Sequence, residues 1–326
     1  MPRPGANRYL MDRWPGMGRR LTYMLVFGVA VLLTLEVTVR ALGMVNFPIY
    51  VRSPLVEYSL APDQSGVFFL QSRWFVNDKG FANAEPFVGT TPSCMLVGDS
   101  VVYGGNPVDY EDRVGALAES KYGHRIWVAA VGGWSLLNEL AFLQTRHAEL
   151  DSTERLVFVL NNGDFGGPGP WTGEYAFPTE RPKGALLYLA RRYLLPRSAE
   201  LPPIVDVIDP EMQIVWQREF DALLSSSHQP ITILLYADRL DFLDRQSWKK
   251  VTQGIRGYAQ SHSDRIALFD IPGAGLWSND FYRNNAHPNL QGNRVIADLV
   301  ATACKGEPWP TISLNSAASG HDQPNH

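Results

Sequence analysis

The sequence lacks the short signatures of several enzyme classes. It has no Gly-x-Ser-x-Gly elbow, no His-Glu-x-x-His pair, no phosphate-binding loop and no dinucleotide glycine fingerprint. Only two cysteines occur, and the net charge is −4. Lysine and arginine form no stripe interleaved with aromatic residues, which argues against nucleic acid as a partner. Neither a metal ion nor an organic cofactor is implied.

What is present is the composition of a globular protein. Of the 326 residues, 45% are hydrophobic and 19% are charged. This length is sufficient for one large domain with additional segments, or for two small domains. No internal repeat is visible.

The N-terminus differs from the rest of the chain. Residues 1–20 contain five arginines and one acid, Asp12, and residues 21–35 carry no charge. An apolar segment over 21–43 is long enough to cross a bilayer if Glu36 and Arg40 lie near its far interface. The alternative is a signal peptide, although Ala41-Leu42-Gly43 fits a cleavage site poorly. We therefore favour an uncleaved signal anchor.

The arginines also predict the orientation of this anchor. By the positive-inside rule, residues 1–20 stay in the cytoplasm. The sequence thus predicts a single-pass protein of the bacterial inner membrane, with its main domain in the periplasm or outside the cell. Residues 44–90, interrupted by prolines, are interpreted as a linker that becomes an edge hairpin.

Residues 91–304 alternate between continuous apolar runs and amphipathic segments. The predicted strands are 93–98, 125–131, 155–160, 231–237 and 265–271. The predicted helices are 108–123, 135–150, 185–196, 210–226, 246–261 and 289–303. This alternation predicts an α/β fold in three layers, a doubly wound parallel sheet with helices on both faces. The polar residues 305–326 are predicted to be a disordered tail.

In such a sheet, ligands bind beyond the carboxyl ends of the strands. The loop after the first predicted strand contains Ser100, in Gly-Asp-Ser, at the start of a turn that leads into a helix. Of the seven histidines, only His287 lies in a loop after a strand and directly before a helix. A hydroxyl nucleophile needs a neighbouring base, so the two residues together indicate a catalytic pair.

Two further loops lie at the same predicted edge. The first contains Gly132 and Gly133, which allow a backbone N–H to approach a substrate closely. The second contains Asn161 and Asn162. Backbone N–H groups and asparagine amides both stabilise a tetrahedral oxyanion.

The order Gly-Asp-Ser, Gly, Asn, His resembles the SGNH hydrolase superfamily, also called GDSL esterases. "MLVGDSVVYGG" resembles the first block of this family, and "AHPNLQGNRVIADLV" resembles the last. "VGGWS" and "VFVLNNGDF" resemble the second and third blocks less closely. The resemblance covers about residues 70–303 and implies a flavodoxin-like fold. It also implies Ser100 as nucleophile and His287 as general base, with Gly133 and an asparagine completing an oxyanion hole.

Two positions depart from the family pattern. The last block usually has an aspartate three residues before the histidine, and Asn284 stands there. An amide oxygen orients an imidazole but carries no charge to stabilise the imidazolium. Asp280 is an alternative partner if its loop folds back. In the third block Gly163 stands where the family has asparagine, so we assign the oxyanion role to Asn162, displaced by one residue.

The resemblance implies a membrane-anchored extracytoplasmic serine esterase that removes acyl groups from a cell-envelope carbohydrate or lipid. One alternative is an O-acetyltransferase acting on exopolysaccharide or cell-envelope glycan. Another, motivated by Asn284 and Gly163, is a catalytically impaired binding or scaffold protein.

Two further expectations follow from the predicted fold. Cys94 begins the first strand of the domain and Cys304 ends the last helix, so both lie at the edge opposite the active site, where they either form a disulfide or remain two buried free thiols. The insert at 166–195 contains Trp171, Tyr175 and Phe177, which either stack on a sugar or form the core of their own loop.

Overall fold

The computed structural model describes residues 17–89, 92–194 and 210–309. Most of the predicted basic N-terminus (1–16) and of the predicted tail (310–326) lies outside the described residues.

The described chain contains three sheets. Its strands are β1 (Tyr50–Ser53), β2 (Glu57–Leu60), β3 (Gln64–Phe68), β4 (Ser72–Val76), β5 (Ser93–Gly98), β6 (Arg125–Ala130), β7 (Arg155–Leu160), β8 (Ile231–Leu235) and β9 (Ile266–Asp270). The central sheet has five parallel strands in the order β6-β5-β7-β8-β9. Counting only these strands, the order is 2-1-3-4-5, which is the flavodoxin-like arrangement. The predicted doubly wound parallel sheet is therefore confirmed.

Helices cover both faces of this sheet. The helices of the described chain are α1 (Met17–Ala41), α2 (Ser100–Tyr103), α3 (Val114–Tyr122), α4 (Leu136–Gln144), α5 (His147–Asp151), α6 (Ala185–Leu194), α7 (Pro210–Ser226), α8 (Arg239–Leu243), α9 (Arg245–Val251), α10 (Gln253–Ser261) and α11 (Leu290–Lys305). Helices α3 and α11 pack together on one face, and α4, α7 and α10 form the layer on the other. Right-handed crossovers from β5 to β6, and from β6 back over β5 to β7, require this division.

Two of the predicted helices are each divided in two. The helix predicted over 135–150 ends at Gln144 and resumes at His147, and the one predicted over 246–261 is interrupted at Thr252. At both breaks a threonine hydroxyl donates back to a carbonyl: Thr145 to Phe142 and Thr252 to Trp248, each at 2.7 Å. Local side-chain hydrogen bonds of this kind compete with a regular helix.

Residues 44–89 correct a second expectation. The hairpins β1–β2 and β3–β4 form two separate two-stranded sheets and not an edge of the central sheet. The chain still covers the outer edge of β6, because Asn83 bonds to the backbone of Ile126 and Val128, each at 2.8 Å. A covered edge does not offer a template for pairing with another chain.

Helix α1 projects from the domain. Over Gly18–Ala41 it is long and apolar enough to cross a membrane, and its residues are not buried against the remainder of the protein. At the opposite edge of the domain from the carboxyl ends of the strands, a disulfide joins Cys94 to Cys304, with Cα atoms 5.7 Å apart.

Candidate active site

Ser100 is the first residue of α2 and directly follows the end of β5. The Oδ1 atom of Asp99 accepts the N–H of Val101 at 2.8 Å, which caps the helix. A Cβ on Gly98 would lie 2.5 Å from the side chain of Val102, so this position needs glycine. The Gly-Asp-Ser turn therefore holds a half-buried hydroxyl at the carboxyl edge of the sheet.

Backbone donors near this hydroxyl are unused. Among the described residues, the N–H groups of Ser100, Gly132 and Gly133 have no acceptor. A Cβ on Gly132 would lie 3.8 Å from that of Ser100, so the two loops are neighbours, and Gly133 adopts a φ of +82°. Backbone N–H groups are rarely left without an acceptor in a folded protein, so these donors are suited to a ligand oxygen.

The loop that carries His287 is held firmly against the same edge. The carbonyl of Ala286 accepts the hydroxyl of Tyr236 at 2.9 Å, and the carbonyl of Asn285 accepts the N–H of Arg239 at 2.8 Å. The N–H of Arg283 donates to the carbonyl of His287 at 2.9 Å. Tyr236 directly follows β8 and Arg239 begins α8, so the segment after β8 positions the histidine loop.

Asn284 determines which nitrogen of His287 carries a proton. Its Oδ1 atom accepts the backbone N–H groups of Ala286 at 3.0 Å and His287 at 2.8 Å, so this atom is an oxygen and not the amide nitrogen. The same oxygen lies 3.1 Å from His287 Nδ1. An acceptor at that distance requires a proton on Nδ1, which leaves the lone pair of Nε2 free to act as a base.

Asp280 does not take this role. Its carbonyl accepts the side chain of Asn289 at 2.7 Å, and its own side chain is exposed. Within the described ranges no hydrogen bond joins Asp280 to His287.

Ser100 and His287 lie on neighbouring loops, and no hydrogen bond joins them in the described chain. In the described chain the Oγ atom of Ser100 donates to Asp99 Oδ2 at 3.3 Å and makes no bond to His287. His287 is close enough to Asp99 for their charges to interact. Arg283 also reaches the carbonyl of Gly104, just after α2, at 3.5 Å. The serine turn and the histidine loop are therefore adjacent.

The pKa of His287 lies below its ordinary value. Burial lowers it most, the nearby Asp99 carboxylate opposes this, and the Arg283 guanidinium lowers it further. His287 is therefore neutral at pH 7. A neutral imidazole with a free Nε2 is the form that accepts a proton from a hydroxyl.

Asn161 bonds to the serine turn, whereas Asn162, which the sequence analysis assigned to the oxyanion site, is directed towards Asp241. The Nδ2 atom of Asn161 donates to Asp99 Oδ2 at 3.1 Å, and its Oδ1 accepts the N–H of Gly163 at 2.8 Å. Asn162 is buried, and its amide points to Asp241 at 3.5 Å. The second hydrogen on Asn161 Nδ2 makes no bond in the described chain, so it is available to a ligand oxygen.

Three carboxyl groups lie at or near the serine turn, and the sequence analysis assigned no role to any of them. Asp99, Glu139 and Asp164 are close enough to influence one another, and burial raises the pKa of each. Both carboxyl oxygens of Glu139 lack a hydrogen-bond partner among the described residues. An ionised carboxylate without a partner is costly in such a site, and this cost raises the pKa of Glu139 well above its ordinary value. Glu139 lies on the amphipathic helix α4, so the sequence alone did not indicate that its side chain is buried.

A second serine, histidine and aspartate occur together on α7 and α10. Ser261 lies 3.1 Å from His262 Nδ1, and His262 lies 3.8 Å from Asp221, beside a cleft of about 780 Å³. The Ser261 hydroxyl donates to the carbonyl of Tyr258 at 2.8 Å, and the His262 N–H is bonded within the helix end. The hydrogen bonds of this group are therefore those of a helix end.

The insert after β7 forms a wall beside the glycine loop. Phe177 stacks on Tyr58 with ring centroids 4.0 Å apart, and the Tyr58 hydroxyl donates to the carbonyl of Gly132 at 3.0 Å. Trp171 donates to the Phe177 carbonyl at 3.1 Å and lies under Arg52. Two of the three aromatics proposed for sugar stacking, Trp171 and Phe177, thus pack within the protein.

No metal site is formed by three or more His, Cys, Asp or Glu side chains in the described ranges.

No family model matches the chain, and no curated protein matches it.

Several solved structures are similar to about two thirds of the chain. A psychrotrophic esterase from Pseudoalteromonas sp. is 14% identical, with 66% of this chain and 97% of that chain covered and a TM-score of 0.42. An α/β hydrolase enzyme from the metagenome of Lake Arreo is 17% identical, with 67% and 97% covered and a TM-score of 0.44. A putative lipolytic protein of the G-D-S-L family from Desulfitobacterium hafniense is 12% identical, with 65% and 99% covered and a TM-score of 0.41. At these identities and scores the similarities carry no argument about the activity of this chain.

Proposed function

We propose that this protein is a membrane-anchored, extracytoplasmic serine esterase that removes acyl groups from a cell-envelope carbohydrate or lipid through an acyl-enzyme. The observation that carries the proposal is the 3.1 Å contact between Asn284 Oδ1 and His287 Nδ1, in a loop adjacent to the Ser100 turn. The resemblance of both loops to SGNH hydrolases supports the same chemistry.

The reaction begins when the Ser100 hydroxyl turns from Asp99 to His287. Nε2 takes the hydroxyl proton while Oγ attacks the ester carbonyl, and a tetrahedral oxyanion forms. The N–H groups of Ser100 and Gly133 and the amide of Asn161 stabilise this oxyanion. The imidazolium then protonates the departing alcohol, which leaves an acyl group on Ser100.

Water completes the cycle. His287 takes a proton from a water molecule while the water oxygen attacks the acyl carbonyl. The second oxyanion then collapses, the imidazolium returns its proton to Ser100 Oγ, and the acid is released. If a glycan hydroxyl replaces water in this step, the same residues perform acyl transfer.

Asp99 has a part in both steps. It accepts the amide of Asn161 at 3.1 Å and lies close enough to His287 for their charges to interact. Burial raises the pKa of Asp99, while three hydrogen bonds and His287 oppose this rise. When Asp99 is ionised, its negative charge favours the imidazolium, as the aspartate missing at position 284 would.

Hydrolysis of p-nitrophenyl acetate by the purified full-length protein tests the proposal. Ser100→Ala should lower turnover by several orders of magnitude, on the order of 10⁶-fold where a serine nucleophile is essential. The matched control is Ser261→Ala, which removes the other histidine-bonded serine and should leave turnover unchanged. Equal rates for wild type and Ser100→Ala would refute the esterase and favour a binding or scaffold role.

The products distinguish hydrolysis from transfer. With an acetylated donor, an esterase releases the same acetate whether or not a glycan acceptor is present. A transferase releases less acetate when the acceptor is added and produces acetylated glycan in its place.

A further inference from the structure

The end of α1 is attached to α6 by its charged side chains. The two carboxylate oxygens of Glu36 accept the N–H groups of Ala185 at 2.8 Å and Leu186 at 2.9 Å, at the beginning of α6. Arg40 bonds to Glu36 and to the carbonyls of Pro182 and Lys183. The first N–H groups of a helix lack partners within the helix, so Glu36 acts as a cap supplied by another helix.

A small apolar core strengthens this junction. It contains Val45 and Phe47 from the segment after α1, and Ala185 and Tyr188 from one side of α6. Val39 of α1 packs against the same cluster. The position of α6 relative to α1 is therefore determined by both packing and hydrogen bonds.

The junction lies near one end of the apolar helix. Counting from Gly18, Glu36 is about 27 Å along an α-helix, and the hydrocarbon core of a bilayer is about 30 Å thick. If α1 crosses a membrane, Glu36 and the first turn of α6 lie close to the interface on the side of the domain.

A second side of α6 is apolar and exposed. Leu187, Tyr193 and Leu194 are 57%, 66% and 79% exposed. At 3.6 residues per turn they lie within about one third of the helix circumference, away from the side that carries Ala185 and Tyr188. The only charged residues of α6 are Arg191 and Arg192, and it contains no acid. Apolar and basic residues together are typical of a helix in a membrane interface.

We propose that this face of α6, formed by Leu187, Tyr193 and Leu194, lies in the lipid–water interface of the bilayer that α1 crosses. The inference rests on the proposed membrane anchoring of α1 and is independent of the esterase reaction. The bilayer is the favoured partner for two reasons. Glu36 attaches α6 to α1 near the interface of the membrane that α1 would cross, and the positive charges of Lys183 and Arg191 attract anionic lipid headgroups.

This contact would orient the candidate active site. The insert that leads into α6 also contacts the glycine loop: Phe177 would lie 3.3 Å from a Cβ on Gly133, and Gly169 lies against the carbonyl of Gly133. With α6 on the bilayer, the insert would connect the membrane surface to the glycine loop.

Photocrosslinking of the full-length protein in phosphatidylglycerol nanodiscs tests the inference. A benzophenone side chain is introduced at Leu187, Leu194, Phe27 or Val88, and lipid adducts are detected by intact mass. Phe27 lies within α1 and is the positive control. Val88 is the negative control: it is 52% exposed, and its neighbour Gly89 lies near Ser152, at the amino edge of the sheet. We expect a gain of one lipid mass at positions 187, 194 and 27, and none at 88.

Each alternative result is decisive. If position 27 is labelled but positions 187 and 194 are unlabelled, like position 88, the interfacial helix is refuted and the membrane anchor is supported. No adduct at position 27 refutes the anchor and the inference together. Neither result depends on esterase activity, which is measured separately with the soluble ester.

Discussion

Asn284 Oδ1 lies 3.1 Å from Nδ1 of His287 and accepts the backbone N–H of the same histidine at 2.8 Å. One amide oxygen thus determines both the turn and the tautomer of the proposed base. It provides orientation without charge, so the imidazolium that forms during catalysis is stabilised less than by a carboxylate.

The pH dependence of kcat/KM should reflect this environment. His287 is active when neutral, so activity rises as pH increases through the pKa of His287. Because burial and Arg283 lower that pKa, the rising limb should lie below the ordinary value of 6.5. Asn284→Asp adds a negative charge at Nδ1, so the limb should move to higher pH and the plateau rate should increase.

The measurement is the rate of ester hydrolysis from pH 4 to 9 for both proteins, with folding checked by circular dichroism. A folded Asn284→Asp variant with an unchanged limb and an unchanged or lower plateau would remove Asn284 from its proposed role.

Asn161 should matter for turnover more than Asn162 does. Asn161→Ala removes a donor from the proposed oxyanion site and should lower kcat by about 10²–10³-fold with little change in KM. Asn162→Ala alters a buried side chain near Asp241 and should reduce the midpoint of thermal unfolding, with kcat per folded molecule nearly retained. The opposite pattern in steady-state kinetics would restore the assignment made from the sequence.

Glu139 should weaken the fold as pH rises. Its pKa is raised above the ordinary value of 4.5 by burial and then by Asp99. Such a group contributes stability while protonated, and this contribution is lost as pH rises above the pKa of the unfolded chain. Glutamine has the shape of a protonated glutamate but cannot ionise. The midpoint of thermal unfolding of Glu139→Gln should therefore exceed that of wild type by an amount that grows from pH 4 to pH 8.

Differential scanning calorimetry of the two proteins measures this difference. The control is Glu149→Gln on α5, which removes a carboxylate 3.8 Å from Lys79 Nζ. A Glu139→Gln difference that stays constant with pH would show that Glu139 is ionised in the folded protein.

The disulfide should stabilise the domain without affecting the chemistry. It closes a loop of 210 residues, and removing such a bond costs about 2–5 kcal/mol of the free energy of unfolding. Urea unfolding of the Cys94→Ser/Cys304→Ser variant should show this loss, while kcat remains unchanged because the bond is at the other edge of the sheet. Wild type kept in reductant should have the same free energy of unfolding as the variant. If the variant is as stable as oxidised wild type, the disulfide does not form.

The sequence predicted the central sheet because its strands are continuous apolar runs, and their carboxyl ends then led to Ser100 and His287. It did not resolve Asn161 from Asn162, since "LNNGD" contains short polar residues that fit the turn in either register. The choice depends on Asp99, 62 residues earlier, which binds the amide of Asn161. Likewise Glu139 occupies a position on an amphipathic helix where only the tertiary structure reveals burial.

Peptide mapping after treatment with a fluorophosphonate tests the central claim most directly, because this reagent modifies a serine only when a base activates it. The account predicts one adduct on Ser100 in the wild-type protein, its loss in His287→Ala, and its retention in the control His262→Ala. An unmodified Ser100 in folded protein, or an adduct on Ser100 that persists at the same rate in His287→Ala, would contradict the pairing of this serine with this histidine.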